Sequence, residues 1–206
     1  MNIQVVPPQK MNSFITDMAE AYQVAYEYRF GEITSNCINE RTVKYVLSKR
    51  RCLRFEVVEN ENRLGGIILS LVHNGKHARI FLMFTKPELQ NRGVATFLWN
   101  ELREFMPGVK TWTANAPYFA VPAIHFLVNK CYFKVIQFTN SVNSPDDYEK
   151  DEVTDPWTDG YLYFEKRVSK VVPVKSSKPT PRNPRVFLYH GSDARFCGFS
   201  VCASDR

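Results

Sequence analysis

A single stretch of the chain decides the fold, and it reads Thr85-Lys86-Pro87-Glu88-Leu89-Gln90-Asn91-Arg92-Gly93-Val94-Ala95. An apolar run, residues 80–84, precedes it, and an amphipathic run, residues 94–106, begins within it. This pattern predicts a strand, a glycine-bearing loop and the start of a helix. Such a junction presents unpaired backbone N–H groups and the positive end of a helix dipole, which together suit a phosphate ligand.

The residues around the glycine fit that ligand. Gly93 permits a positive φ or a close backbone approach, and the small Ala95 leaves the first helical turn open. Gln90 and Arg92 can add side-chain donors. The spacing is neither that of a P-loop, which ends in Gly-Lys-Ser/Thr, nor that of a dinucleotide fingerprint with three glycines. On this stretch alone, an ordinary strand–turn–helix connection is the alternative.

Hydrophobic periodicity predicts the elements on both sides of this stretch. Helices are expected at residues 11–25, 43–47, 94–106 and 123–128, and strands at residues 3–6, 53–58, 64–72, 78–85, 109–112, 132–138 and 160–165. Asn12 or Ser13 is expected to cap the first helix, and Asn39 lies near the start of the second. The predicted order is β-α-α-β-β-β-α-β-α-β-β.

This order, with Gln-x-x-Gly-x-Ala between the fourth strand and the third helix, resembles the GNAT superfamily of N-acetyltransferases. The resemblance covers about residues 1–167 and is similar to the small bacterial and phage-type enzymes. It implies an α/β (α+β) fold, with a mixed central sheet of six to seven strands flanked by about four helices. It also implies acetyl-CoA as cosubstrate and no metal.

The resemblance further implies which residues contact acetyl-CoA. A backbone N–H on a splayed fourth strand polarises the thioester carbonyl in the family, and the matching position here is Met83, with Thr85 near the pantetheine. The loop residues that match the pyrophosphate-binding segment are Gln90, Asn91, Arg92, Gly93, Val94, Ala95 and Thr96.

The catalytic residues depart from the family pattern. The family places a leaving-group tyrosine in the pattern Asn-x-x-Ala-x-x-x-Tyr-x-Lys-x-Gly-Phe, after the fifth strand. Ala123, Lys130 and Phe133 match that pattern, but Val128 occupies the tyrosine position. Valine cannot donate a proton, so another group, water or a weakened enzyme must be considered.

Three residues are candidates for the missing acid: Tyr118, His125 and Tyr132. Tyr118 is slightly preferred because it follows the fifth strand, and His125 has the pKa range for proton transfer. An aromatic plug in a loop and a satisfied helix-face histidine are the alternatives. Residues 77–85 hold no carboxylate, so the predicted fourth strand supplies no general base. Glu27, Glu32 or Glu56 could act as the base through water, or each could be a solvated surface charge.

The net charge of +6 is concentrated at the C-terminus. Residues 168–206 hold 7 Lys/Arg against 2 Asp, whereas residues 1–167 hold 20 Lys/Arg against 19 Asp/Glu. This weakens an interpretation of the whole chain as a nucleic-acid binder. We expect an acetyltransferase domain at 1–167, a Pro/Lys-rich linker at 168–185 and a basic tail of unknown role at 186–206, which could contact an acidic partner.

The cysteines, the hydropathy and the N-terminal residues are used to predict the cellular compartment of the protein. The five cysteines are scattered, no apolar run reaches 18 residues, and the N-terminus does not resemble a signal peptide. A cytoplasmic protein with reduced thiols and no membrane span is therefore expected. Cys197, Cys202 and His190 offer only three metal ligands, so a metal site is not predicted.

The sequence therefore predicts an acetyl-CoA-dependent N-acetyltransferase that uses direct attack in a ternary complex. The carboxylates of residues 146–155 are expected to attract a primary, cationic amine, although a solvated acidic loop, or one that meets the basic tail, is the alternative. The sequence is also compatible with a homodimer. The rival functions are a catalytically weakened CoA-binding module and a protein or nucleic-acid interaction module.

Overall fold

The computed structural model describes residues 1–31, 38–49, 51–118, 120–139 and 160–168. Within them, one seven-stranded sheet runs in the order β1-β2-β3-β4-β5-β7-β6. The strands are β1 Asn2–Val5, β2 Cys52–Glu59, β3 Asn62–Val72, β4 His77–Thr85, β5 Thr111–Pro117, β6 Lys134–Thr139 and β7 Tyr161–Arg167. Only β4 and β5 pair in parallel; all other neighbours are antiparallel. The predicted mixed sheet is confirmed.

In the described part of the chain, four α-helices accompany the sheet: α1 Met11–Phe30, α2 Glu40–Ser48, α3 Val94–Phe105 and α4 Val121–His125. Short 3-10 turns span Pro8–Lys10 and Pro87–Leu89, and a π-helical segment, Phe126–Lys130, continues α4. No helix in the described ranges is long and apolar enough to cross a membrane. The predicted linker and tail lie, apart from Val168, outside the described residues.

The starts of α1 and α2 are closed in different ways, and the predicted cap of α1 is wrong. Asn39 caps α2, because its side chain accepts a hydrogen bond from the Thr42 N–H at 3.1 Å. Neither Asn12 nor Ser13 caps α1; Lys10 occupies the N-cap, and the Ser13 hydroxyl donates to the Lys10 carbonyl at 3.0 Å instead. The preceding 3-10 turn starts the helix early, so Ser13 already lies inside the first turn.

Each face of the sheet carries its own core. On one face α3 packs through Leu98, Trp99 and Leu102 against Trp112, with the Trp99 and Trp112 rings edge to face at 5.0 Å. On the other face, α1 and α2 pack through Phe14, Met18, Val43 and Val46 against Ile68, Leu82 and Phe84. The central strands of the sheet are therefore covered on both faces, whereas the edge strand β6 is mostly exposed.

A β-bulge reverses the faces of β4 partway along the strand. Leu82 pairs with Ile68 and Ile80 with Leu69, so Phe81 is the extra residue on β4. Before the bulge, Ala78 and Ile80 join the α3 core; after it, Leu82 and Phe84 join the α1 core.

Gly66 is fixed by close packing at the centre of the sheet. A Cβ there would lie 2.5 Å from Phe14 Cε2 and 2.8 Å from the Phe55 carbonyl oxygen. We expect Gly66→Ala to destabilise the domain by about 2–3 kcal/mol, because the core must shift to admit the methyl group. Thermal unfolding checks this: Gly108→Ala, where a Cβ meets nothing within 4 Å, should leave the melting temperature almost unchanged. Equal melting temperatures for the two variants would contradict the packing described.

Candidate active site

The parallel strands β4 and β5 separate partway along their length. They pair only at His77–Thr111, Ala78–Trp112 and Arg79–Thr113. Beyond those pairs, β4 stays bonded to β3 as far as Thr85, and β5 stays bonded to β7 as far as Pro117. The two strands therefore leave a wedge between residues 80–85 and 114–117. Among the described strands, none pairs with this side of β4 at residues 80–85, so its backbone groups can bind a ligand.

The loop from β4 to α3 is built around two left-handed residues. Asn91 has φ 61° and Gly93 has φ 81°, and a Cβ on Gly93 would meet nothing within 4 Å. Gly93 is therefore required for its positive φ rather than for a close contact. Asn91 belongs to the residue type that best tolerates this conformation without being glycine.

The first N–H groups of α3 are available for a ligand. Phe97 donates the first bond of the helix, to the Gly93 carbonyl at 2.9 Å. Among the described residues, the N–H groups of Val94, Ala95 and Thr96 donate to no carbonyl. The Gln90, Asn91 and Arg92 side chains beside them are exposed. Unpaired N–H groups, a helix dipole and open space form a cradle for an anion. These loop residues are those predicted from the sequence, and their contact with a ligand stays a prediction.

Tyr22 of α1 reaches the open edge of β4. Its hydroxyl accepts a hydrogen bond from the Met83 N–H at 3.2 Å and donates to the Met83 carbonyl at 3.1 Å. The Met83 N–H predicted to polarise a carbonyl is thus bonded to a phenol in this structure. Burial of the Tyr22 side chain raises its pKa to about 12, although the Met83 hydrogen bond acts in the opposite direction. The phenol is therefore neutral at physiological pH.

Sequence reasoning missed Tyr22. It follows Phe14, Ile15 and Met18 at helical spacing, so it was assigned to the apolar stripe of the first helix. A tyrosine in such a stripe needs a partner for its hydroxyl, and that need was the one available signal. The partner is a backbone group 61 residues away, which no local pattern indicates.

The predicted acid candidates lie at different points around the end of β5. Tyr118 follows β5 directly and is exposed, with its N–H donating to the Gly160 carbonyl at 3.2 Å. His125 is exposed at the last residue of α4. Val128 lies in the π-helical segment and packs, half-buried, against the α3 core. The described contacts do not join Tyr118 or His125 to the Met83 backbone.

One of the candidate bases is excluded by its environment. Glu56 is completely buried, and its carboxylate accepts hydrogen bonds from Arg63 Nε at 2.6 Å and Gln4 Nε2 at 2.7 Å. It is neither the solvated charge nor the water-linked base considered from the sequence, because water cannot reach it. Glu27 is exposed on α1, and Glu32 lies outside the described residues.

A family model described as the Acetyltransferase (GNAT) family matches residues 15–131, which is more than half of the chain. The chain belongs to this family. It is therefore a GNAT acetyltransferase, as its motif and element order predicted. Within the described residues, no group of three or more His, Cys, Asp or Glu side chains could hold a metal ion.

The relatives described below share little sequence identity with this chain. "Uncharacterized protein YrkN" of Bacillus subtilis (strain 168) is 22% identical over 143 residues, which cover 69% of this chain and 77% of the relative. The ribosomal-protein-S18-alanine N-acetyltransferase of Escherichia coli matches with a TM-score of 0.53 at 17% identity, over 84% of this chain and 97% of that one.

Two further solved structures carry the same fold. Tetrahymena GCN5 matches with a TM-score of 0.55 at 15% identity, over 84% of this chain and 99% of its own. An aminoglycoside 6'-N-acetyltransferase complexed with coenzyme A matches with a TM-score of 0.56 at 9% identity, over 83% and 99% of the two chains. At such identities these likenesses show the fold, and the GNAT fold of this chain is confirmed.

Proposed function

We propose that this GNAT acetyltransferase uses acetyl-CoA and transfers the acetyl group to a primary amine by direct attack in a ternary complex. The observation that carries the proposal is the wedge between β4 and β5, which opens beside the unpaired N–H groups at the start of α3. A long ligand with an anionic centre and an extended arm fits this combination. The anion suits the helix N-terminus, and the arm suits the unpaired edge of β4.

Each part of the predicted cofactor site has a role in this proposal. The N–H groups of residues 94–96, with the Gln90 and Arg92 side chains, hold the diphosphate. The Thr85 backbone on the wedge side of β4 holds the pantetheine arm. The Met83 N–H is directed to the thioester carbonyl, where its hydrogen bond increases the electrophilic character of the carbon. Acetyl-CoA supplies the activated acyl group.

For the proton transfers, the proposal names water as the acceptor and two side chains as candidate donors. A primary amine must be neutral when it attacks, and water in the open wedge can take its proton. Tyr118 and His125 remain candidates for returning a proton to the departing thiolate, and Tyr118 is nearer in sequence to the wedge. The half-buried Val128 makes a second function relevant, a CoA-binding module with little catalysis, because it leaves the usual acid position without a donor.

The acceptor is proposed to be cationic. The similar structures include a ribosomal-protein-S18-alanine N-acetyltransferase and an aminoglycoside 6'-N-acetyltransferase, so the fold alone does not select the acceptor. Selection is proposed to come from residues 22–40 and 139–158, and the acidic stretch 146–155 lies outside the described residues. A homodimer, a contact of the basic tail with an acidic partner and a cytoplasmic location all remain predictions from the sequence.

Thiol release tests this function. The full chain, acetyl-CoA and a panel of amines (polyamines, aminoglycosides, lysine peptides and peptides with free N-termini) should give acceptor-dependent CoA thiol with at least one cationic amine. Calorimetry on the same sample reports acetyl-CoA binding. Binding without thiol release across the panel would favour the CoA-binding module, and absence of binding would contradict both functions.

A further inference from the structure

The hydroxyl of Tyr22 accepts a hydrogen bond from the Met83 N–H and donates a hydrogen bond to the Met83 carbonyl. We propose that Tyr22 is a catalytic residue that donates a hydrogen bond to the thioester carbonyl oxygen, alongside the Met83 N–H. The inference rests on the proposed function, because it takes the Met83 N–H to be directed at that carbonyl. It adds a side-chain donor from α1, which the family pattern did not predict.

The geometry places two donors at one point. The Tyr22 hydroxyl makes two hydrogen bonds to Met83 on the open edge of β4, within the part of the strand that β5 does not cover. A carbonyl oxygen that takes the Met83 N–H replaces the phenol oxygen as acceptor. The phenol can then donate its hydrogen bond to the new oxygen instead of to the Met83 carbonyl, so that it still donates one hydrogen bond. A shift of the ring by roughly 1–2 Å is enough, given ordinary donor–acceptor distances.

The surroundings of Tyr22 suit a residue that donates a hydrogen bond and keeps its proton, rather than one that transfers the proton. The same burial that raises the pKa of Tyr22 to about 12 keeps the proton on the phenol while negative charge develops nearby. A preorganised hydrogen-bond donor aimed at the atom where this charge develops stabilises it. Tyr22 therefore does not replace the missing acid at Val128, and the departing thiolate takes its proton from elsewhere.

The reaction balances without proton transfer from Tyr22. The amine nitrogen forms a bond to the carbonyl carbon and loses one proton to water, and the carbon–sulfur bond breaks with its electron pair on sulfur. The thiolate then takes one proton from water or from a side chain at the wedge. Through these steps the phenol keeps its proton and strengthens its hydrogen bond as charge collects on the carbonyl oxygen.

The decisive variant is Tyr22→Phe, because it removes the hydroxyl and keeps the ring. With [1-13C]acetyl-CoA bound, isotope-edited infrared spectra should show the carbonyl band at higher wavenumber in Tyr22→Phe than in the wild type, since one hydrogen bond is lost. The kcat should fall about 100-fold, while the KM for acetyl-CoA changes less than about threefold, because the interaction strengthens in the transition state. Tyr28→Phe, an exposed tyrosine on the same helix, is the matched control for the bound cofactor: its carbonyl band and its affinity for acetyl-CoA should match those of the wild type.

A second measurement needs no variant. With tyrosine labelled at the ring Cζ, the Tyr22 NMR signal of the wild-type chain should shift when acetyl-CoA is added, and the Tyr28 signal should not. This keeps the inference testable if Tyr22→Phe does not fold.

Three outcomes separate the possibilities. If calorimetry shows that the wild type does not bind acetyl-CoA, the proposed function fails. If the wild type binds and the carbonyl band is the same in Tyr22→Phe, the function stands and the donor role of Tyr22 is wrong. An unchanged band with tighter acetyl-CoA binding in Tyr22→Phe would also overturn the inference, by showing that the phenol merely blocks the Met83 N–H.

Discussion

Gly93→Val is expected to weaken acetyl-CoA binding by about 100-fold, which corresponds to about 2.7 kcal/mol of binding free energy. Gly93 has φ 81°, a conformation that costs a β-branched residue more than it costs most others. The loop must change its backbone to admit valine, and the N–H groups of residues 94–96 then lose their shared direction. Calorimetry of the full-length variant with acetyl-CoA measures the loss.

A matched glycine supplies the control. Gly75, in the turn between β3 and β4, has φ 77°, and a Cβ there also meets nothing within 4 Å. Gly75→Val therefore carries the same backbone strain at the opposite end of β4 from the loop. It should lower the melting temperature as much as Gly93→Val does, yet leave acetyl-CoA affinity unchanged. Equal affinities for the two variants would show that the loop does not hold the diphosphate. Gln90→Ala, combined with Gly93→Val, should weaken binding further.

Arg63→Ala is expected to destabilise the domain by about 3–5 kcal/mol, because it leaves a buried carboxylate without its cation. The Arg63 side chain is 7% exposed and that of Glu56 0%, and Arg63 Nε lies 2.6 Å from Glu56 Oε2. Arg63 Nη1 lies 2.6 Å from Asp17 Oδ2, so the same guanidinium ties β2 and β3 to α1. The melting temperature should fall by roughly 10–15 °C for a domain of this size.

Two control variants distinguish the effect of burying the ion pair from the effect of removing a charge. Arg167→Ala removes an exposed ion pair with Glu165 at a similar distance, 2.6 Å, and should cost less than about 1 kcal/mol. The double variant Glu56→Gln/Arg63→Met removes both buried charges and should recover much of the stability lost in Arg63→Ala. A melting temperature for Arg63→Ala that matches that of Arg167→Ala would contradict the structural role of the pair.

The elements and their order could be predicted because their signals are local. The apolar face of α3 repeats at helical spacing and begins at a glycine, and the hairpin of β2 and β3 is bounded by a polar turn. The ends of elements were less certain. β5 was predicted at residues 109–112 and lies at Thr111–Pro117, because its pairing with β7 extends it through residues of low strand propensity.

The parts of the site that were not predicted depend on contacts distant in sequence. The bulge at Phe81 depends on how β4 pairs with β3, and the wedge depends on where β4 and β5 part. The hydroxyl of Tyr22 finds its partner only after α1 has packed on the sheet. Glu56, in the middle of an alternating strand, resembles a surface residue until Arg63 and Gln4 are placed beside it.

The central claim is that the start of α3 and the open edge of β4 hold acetyl-CoA. Two-dimensional amide NMR of the 15N-labelled chain tests it most directly, since each N–H reports its own hydrogen bond. On titration with acetyl-CoA, the largest shifts should occur at Gly93, Val94, Ala95 and Thr96, with a further shift at Met83, while Gly75 and Gly108 stay unchanged. Saturable binding that leaves the amides of residues 93–96 unshifted would contradict the account.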